Sequence, residues 1–377
     1  MRILSVVTLV TPTGDFGGPV RVAVNQAAAL RAQGHEVVVI AAARGYEGEF
    51  PTDVEGVPVR LFPARTALPG TGFAGLRAAG MRRWIREHRN DFDVAHIHIA
   101  RDLVTLPAAD LVRRLGLPYV LQPHGMIDPS SNPLAAPLDA ALTRRVLRDA
   151  AAVFYLTPVE KEGLAAVGGG DLDLMFLGNG VPEQPAAGTG PTSGELEVLF
   201  LARIAPRKRP TAFVDAAAAL APAHPDVRFR LVGPDEGEGG AVTAAIAAAG
   251  LGDRLEWEGP IAPELSVGRL ARASVYVLPS VDEPFPMSVL EAMSLGKPVV
   301  ITDTCGLAPF VAETGSGIVV DDSIEQLTAA IDALISDPTM TRSMGNAAAE
   351  ATRERMSMAA VARSLAETYS AAGSSRR

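Results

Sequence analysis

Apolar runs of strand length alternate with Ala-rich stretches of helical period from the first residues of the chain. Residues 3–10 and 37–42 read as strands around a helix at 20–33, a βαβ unit. Strands at 94–99, 119–122 and 153–156, with helices at 108–115 and 134–149, continue this into a parallel sheet. The pattern breaks near Gly178-Asn179-Gly180-Val181-Pro182. Residues 184–194 are then rich in Pro, Gly, Ala and Thr without apolar periodicity, the composition of a linker. A second alternation follows, with strands at 198–201, 228–232, 255–258, 275–278 and 299–301 and helices at 211–221, 241–249 and 324–335. Near the end of the chain Val361, Leu365 and Tyr369 stand at helical spacing. The expected division is an amino-terminal domain over 1–183, a linker over 184–194, a second domain over 195–356, and a helix over 357–377 crossing toward the first domain. The expected fold is α/β, two Rossmann-like doubly wound domains facing across a cleft, with ligands at the carboxyl ends of the strands.

Composition narrows the class. The 377 residues are 48% hydrophobic, enough for two cores. A formal charge of -9 disfavours a nucleic-acid surface. The acidity is uneven: residues 1–187 carry 18 Lys+Arg against 19 Asp+Glu, and the remainder 16 against 24. Cys305 is the sole cysteine, so an internal disulfide and a Cys-rich metal site are excluded and a reducing cytoplasm fits. The apolar run after Met1-Arg2 has the length of a first strand and gives way to a Gly-rich loop, unlike a signal peptide. No stretch approaches the roughly 18 apolar residues of a membrane span, so any membrane contact is expected to be peripheral.

The most informative chemistry lies between the strand at 275–278 and a helix expected to begin near Pro286. Glu283 and Glu291 bracket that helix start with seven residues between them. The amides of Met287 and Ser288 fall at its positive end, a natural anion seat. Glu291 follows one turn later, roughly 6 Å along the axis, near the separation of a diphosphate from its ribose. Carboxylates repel a diphosphate but accept hydrogen bonds from sugar hydroxyls on either side of it. The implied ligand is a sugar–diphosphate–nucleoside. After the strand at 198–201 come Arg203 and Lys208, two cations placed to flank such a seat.

This Arg-x4-Lys followed by Glu-x7-Glu resembles the family 4 retaining glycosyltransferases of the GT-B fold (glycosyl transferases group 1). Further matches fall in the family's order: Gly17-Gly18, Asp93-x2-His96-Ile97-His98, Pro123-His124-Gly125, Asn179-Gly180-Val181 and Gly296-Lys297-Pro298-Val299-Val300. The resemblance covers nearly the whole chain. It implies that Arg203 and Lys208 hold the donor diphosphate, that Glu291 holds the ribose, that Glu283 holds the transferred sugar and that His124 lies beside it. It also places Phe285, Met287 and Ser288 at the donor, and lets the backbone at Gly17 and Gly18 approach donor phosphate or acceptor. The amino-terminal domain is then the acceptor domain and the second the nucleotide-sugar domain. The chain departs from the family's usual glycines at Ala202, Pro284 and Pro286, which removes two possible amide donors and bears on donor preference.

The activity expected from the resemblance is transfer of a hexosyl unit from a nucleoside diphosphate sugar, UDP first and GDP second, to a hydroxyl of a glycan intermediate or small metabolite, with retention. No cofactor is expected beyond that co-substrate, and no metal, because two cations and a helix terminus already face the departing diphosphate. A nucleotide-sugar epimerase of the same fold and a non-catalytic sugar-nucleotide-binding protein stay open as alternatives. The loop at Gly14-Asp15-Phe16-Gly17-Gly18 lacks the dinucleotide fingerprint, which argues against a nicotinamide or flavin enzyme. Asp91-Phe92-Asp93 and Asp171-Leu172-Asp173 read as solvated strand entries rather than metal ligands. His96 and His98 are expected on opposite faces of their strand, at least one of them packed, and Cys305 is expected to be packed. Residues 75–89 place five arginines among Leu76, Trp84 and Ile85, a basic amphipathic pattern read as a solvated helical face, with contact to anionic lipid left open.

Overall fold

A computed structural model of the chain describes residues 1–12, 17–68, 70, 72–132, 134–182 and 196–374. The chain forms two compact units, Met1–Gly180 with Met358–Arg377, and Val181–Ser357. The expected linker at 184–194 lies outside the described residues, as do residues 13–16 of the Gly-rich loop.

In the first unit the parallel strands run in the spatial order Val57–Thr66, Glu36–Ala43, Arg2–Val10, Val94–Ile97, Tyr119–Leu121, Ala152–Tyr155 and Leu174–Phe176. Two short antiparallel strands, Asp53–Val54 and Leu76–Ala78, flank Val57–Thr66. The central strands are buried on both faces, which is why they read as continuous apolar runs instead of alternating ones. Helix Gly17–Ala32 covers one face together with helix Met358–Ser374. Val361, Leu365 and Tyr369 sink into the core formed by Ile3, Val7 and Leu30. Each large apolar side chain so buried contributes about 1.5–3 kcal/mol, enough to fix the terminal helix on this unit. The motif Asn179-Gly180-Val181 ends against the same helix: an added Cβ at Gly180 would come within 2.6 Å of Met358 Sδ.

The second unit is a six-stranded parallel sheet in the order Leu255–Trp257, Val227–Val232, Leu196–Leu201, Val275–Leu278, Val299–Thr302 and Gly317–Val320. In each unit the chain winds outward one way from its first strand, then restarts on that strand's other side. The connections leaving the two central strands therefore diverge at their carboxyl ends and open a crevice. In the second unit the diverging segments are 202–209 and 279–286, the two that carry the predicted chemistry.

Several sequence expectations need correction. Residues 75–89 are not one basic helix but the strand Leu76–Ala78, a left-handed turn at Gly80 (φ 89°) and the two-turn helix Met81–Glu87. Gly17 and Gly18 stand in the first turn of helix Gly17–Ala32, so they start an element instead of lying in an open loop. Asp93 pairs with Arg2 at 2.8 Å and accepts its backbone N–H at 2.8 Å, which ties the chain start to the strand at 94–97. Among the described residues no helix is long and apolar enough to cross a membrane.

Candidate active site

The loop after strand Leu196–Leu201 makes a tight turn at Pro206–Lys208, then passes through Arg209 in the left-handed region (φ 51°) into helix Pro210–Leu220. The loop after Val275–Leu278 passes through a second left-handed residue, Asp282 (φ 50°), and enters helix Met287–Ser294. Non-glycine residues in this region are strained and persist only where their surroundings hold them. Here the two loops latch each other: Val281 N–H donates to the Arg207 carbonyl at 3.0 Å, and the Arg207 guanidinium donates to the Asp282 carbonyl at 3.3 Å. A third segment, after strand Val299–Thr302, closes from the other side. The Thr302 hydroxyl donates to the Ser280 carbonyl, and the Gly306 N–H donates to the Glu283 carbonyl at 2.8 Å. A Cβ at Gly306 would stand 1.9 Å from the Pro284 carbonyl oxygen, so only glycine fits there.

These latches deliver a cavity of about 320 Å³ lined by Arg203, Lys208, Gly233, Glu283, Phe285, Met287 and Ser288, among others. Lys208 and Glu283 are buried, 9% and 7% exposed, and form an ion pair. Arg207 adds a second cation 3.6 Å from the same carboxylate oxygen. Arg203 is exposed at the rim and pairs with Glu236 at 2.9 Å. Pro286 is the N-cap of helix Met287–Ser294 with no side-chain cap, so the first-turn amides of Met287 and Ser288 have no intrahelical acceptor. The Tyr276 hydroxyl, 2.7 Å from Ser288 Oγ, donates to the Leu201 carbonyl at 2.9 Å and so fixes the helix start against the first strand. Two cations, Arg203 and Lys208, and a helix amino terminus thus converge on one cavity with one buried carboxylate, which Arg207 approaches from outside the lining. That is an anion site with a hydrogen-bond acceptor at its edge.

Six of the predicted residues, Arg203, Lys208, Glu283, Phe285, Met287 and Ser288, meet at this cavity. Glu291 does not line it. It lies one turn along the helix, partly buried, with burial pushing its carboxyl above the usual range and no ion pair among the described residues. Cys305 is buried, its thiol pushed up to about 11 by that burial, and packs behind the Glu283 loop. Arg207, Gly233 and Glu236 escaped the sequence reading. Gly233 carried a signal, since a glycine ending an apolar run marks close backbone approach. Its φ is +151°, and a Cβ there would meet the Ala202 carbonyl at 1.9 Å.

The first unit holds a second constellation. His124 sits at φ 53° in the turn after strand Tyr119–Leu121. Glu160 fixes this turn by accepting the N–H of Gly125 at 2.6 Å and of Leu156 at 2.7 Å. His124 Nε2 lies 2.8 Å from His98 Nδ1. The His98 ring stacks on His96 with centroids 4.5 Å apart, and His96 Nδ1 lies 2.7 Å from the Tyr369 hydroxyl. The expectation of opposite faces is thus wrong: residues two apart on a strand share a face. Burial lowers His96 to about 3 and His124 to about 4, and holds His98 well below its ordinary value. The column is therefore neutral at pH 7, able to donate and accept hydrogen bonds but not to act as a cation. Asp102, also missed, accepts the N–H groups of Val104 and Thr105 and the Thr8 hydroxyl, pinning the segment after His98.

Residues 186–351 match the family model of the glycosyl transferases group 1, and residues 17–180 match that of the glycosyl transferase 4-like domain. A D-inositol 3-phosphate glycosyltransferase of Frankia alni is 30% identical over 344 residues, 82% of this chain and 83% of that one. One of Arthrobacter sp. is 33% identical over 183 residues, 47% of this chain and 43% of that one, so the chain matches less than half of that relative's length. Among solved structures, Anabaena HepE in complex with UDP superposes with a TM-score of 0.68 at 20% identity, covering 98% of this chain and 100% of that one. The likeness in structure establishes the GT-B fold.

Proposed function

Because the chain belongs to the glycosyl transferases group 1 family, we propose that it moves a hexosyl unit from a nucleoside diphosphate sugar to an acceptor hydroxyl, with retention at the anomeric carbon. UDP is the preferred nucleotide, in keeping with the UDP held by the Anabaena relative in fold, and GDP the second. The observation that carries this reading is the cavity in which Lys208, Arg203 and the amides of Met287 and Ser288 surround one buried carboxylate, Glu283.

In the reaction the bond between the anomeric carbon and the β-phosphate oxygen breaks, and a bond to the acceptor oxygen forms on the same face. The acceptor proton passes to the leaving phosphate. Lys208, Arg203 and the helix amides stabilise the charge that develops on the diphosphate, in place of a metal ion. Glu283 accepts hydrogen bonds from the transferred sugar, Phe285 bounds its pocket and Glu291 holds the ribose. His124, neutral and fixed by Glu160, orients the sugar, and the helix start at Gly17 and Gly18 lets backbone approach phosphate or acceptor.

The test is a thermal-shift screen of UDP- and GDP-sugars followed by product analysis with and without hydroxylated acceptors. Acceptor-dependent release of UDP with an axial linkage retained supports the reading. Interconversion of the free sugar nucleotide marks an epimerase, and binding without turnover marks a binding protein. Either outcome overturns transfer.

A further inference from the structure

A cavity of about 510 Å³ in the first unit lies beyond the site just described and is lined by five arginines: Arg65, Arg77, Arg82, Arg83 and Arg86. Its walls are the end of strand Val57–Thr66, the strand Leu76–Ala78, helix Met81–Glu87 and residues 103–104. No carboxylate is among the lining residues described. Arg83 alone has a counter-ion, Glu87 at 2.7 Å. Arg65, Arg77, Arg82 and Arg86 form no ion pair with the described residues.

The fold places these charges against one another. Arg65 and Arg77 are direct partners across the antiparallel pair, where like charges destabilise the hairpin. Arg82 and Arg86 stand four apart on one helix, where like charges also repel. Yet the first half of the chain is nearly neutral overall, so carboxylates were available elsewhere and are missing here. A guanidinium cluster without counter-ions around a cavity of this size matches a multiply charged oxyanion, since the planar fork of arginine grips phosphate with paired donors. The cavity also sits where strand Val57–Thr66 ends and beside the segment after Val94–Ile97, at the same sheet end as His98 and His124.

We propose that this arginine cavity seats a phosphate-class oxyanion carried by the acceptor. The word acceptor rests on the glycosyl-transfer reading; the anion site itself does not. The same cluster repels a cationic acceptor, so the chain selects for acceptors bearing a phosphate or a comparable dianion.

Titration calorimetry with inorganic phosphate at low ionic strength tests the site, using the full chain with Lys208→Gln, which weakens the anion seat of the nucleotide cavity, and the same variant carrying Arg65→Gln/Arg77→Gln. In the Lys208→Gln background phosphate binding is expected to persist, and the two arginine substitutions are expected to weaken it at least 10-fold. Without phosphate, the melting temperature of the chain carrying them should equal or exceed that of Lys208→Gln alone, because cross-strand repulsion is removed. In the Lys208→Gln background, equal phosphate affinity with and without the arginine substitutions, or no phosphate binding at all, overturns the proposal. Vesicles of phosphatidylcholine with and without phosphatidylglycerol identify the source. Arginine-dependent sedimentation with the anionic vesicles assigns a lipid-borne phosphate, and its absence with phosphate binding intact assigns a soluble one. UDP affinity, measured in parallel, reports on the transfer reading alone: its loss leaves the anion site standing.

Discussion

The Lys208–Glu283 pair gives two different predictions according to whether Glu283 recognises sugar or only neutralises Lys208, and Glu283→Gln separates them. The substitution keeps the shape and removes the charge. Removing one partner of a fully buried pair costs about 3–5 kcal/mol, but here Lys208 borders a cavity of about 320 Å³ that admits water, which lowers the expected loss to about 1–3 kcal/mol. At roughly 2–4 °C per kcal/mol for units of this size, the melting temperature should fall by several degrees. The freed Lys208 then has the diphosphate as its sole anionic partner. UDP alone should therefore bind as well as to wild type or up to about 10-fold more tightly, a gain of up to about 1.4 kcal/mol. The sugar end behaves oppositely. A lost hydrogen bond to a charged acceptor is worth about 1.5–3 kcal/mol, so kcat/KM for transfer should fall by roughly 10- to 150-fold. Calorimetry with UDP and with UDP-glucose, beside initial rates of UDP release, reads all three quantities. If UDP affinity falls as far as transfer does, Glu283 merely positions Lys208 and the sugar-recognition argument is refuted.

The neutral histidine column makes the first unit acid-sensitive. Buried His96, His98 and His124 have folded pKa values below the ordinary 6.5, so their contribution is complete above that pH and is lost as pH falls, through about 4 for His124 and about 3 for His96. Each imidazole contributes up to about 1.4 kcal/mol per pH unit, so for the three of them urea melts at pH 5 should show on the order of 5 kcal/mol less stability than at pH 7. His98→Gln should remove about a third of that slope, and an unchanged slope rejects the assignment. Glu160→Gln can keep only one of the two backbone N–H bonds, and the freed His124 turn should lower kcat at least 10-fold while UDP affinity stays within about 2-fold; an unchanged kcat denies the positioning role. Gly306→Ala drives a Cβ into the Pro284 carbonyl and should cost about 2–4 kcal/mol with loss of UDP binding. Gly268→Ala, in helix Ser266–Ala271 with nothing within 4 Å, should instead stabilise by up to about 1 kcal/mol. Chemical denaturation of both variants checks the contrast.

The parallel sheets were legible because strands buried on both faces leave unbroken apolar runs, and Val275–Leu278 and Val299–Thr302 are of that kind. Edge elements were not. Val57–Thr66 mixes Arg60, Pro63 and Arg65 with its buried residues because its outer end is covered only by the short strand Leu76–Ala78. The same break in pattern made 75–89 read as one helix, since arginines repeated at near-helical spacing on both sides of the turn at Gly80.

The candidate site was legible where chemistry and spacing lie on one segment, as from Glu283 to Ser288, and illegible where a side chain acts through a neighbour distant in sequence. Glu160 is such a case: nothing local shows that a carboxylate in a helix holds the N–H of Gly125, 35 residues away. Glu283 is the subtler one. Its place before the helix start is legible in the sequence, but its partner lies 75 residues upstream, and the pairing changes what its charge does. Without ligand it compensates a buried lysine, so a diphosphate arriving at Lys208 must either share that ammonium or release the carboxylate. A carboxylate released in this way is free to accept from sugar hydroxyls at the moment the phosphate engages Lys208. Sugar recognition would then be switched on by diphosphate binding: a free hexose should bind wild type more tightly with UDP present than without it, whereas in Glu283→Gln UDP should make no such difference.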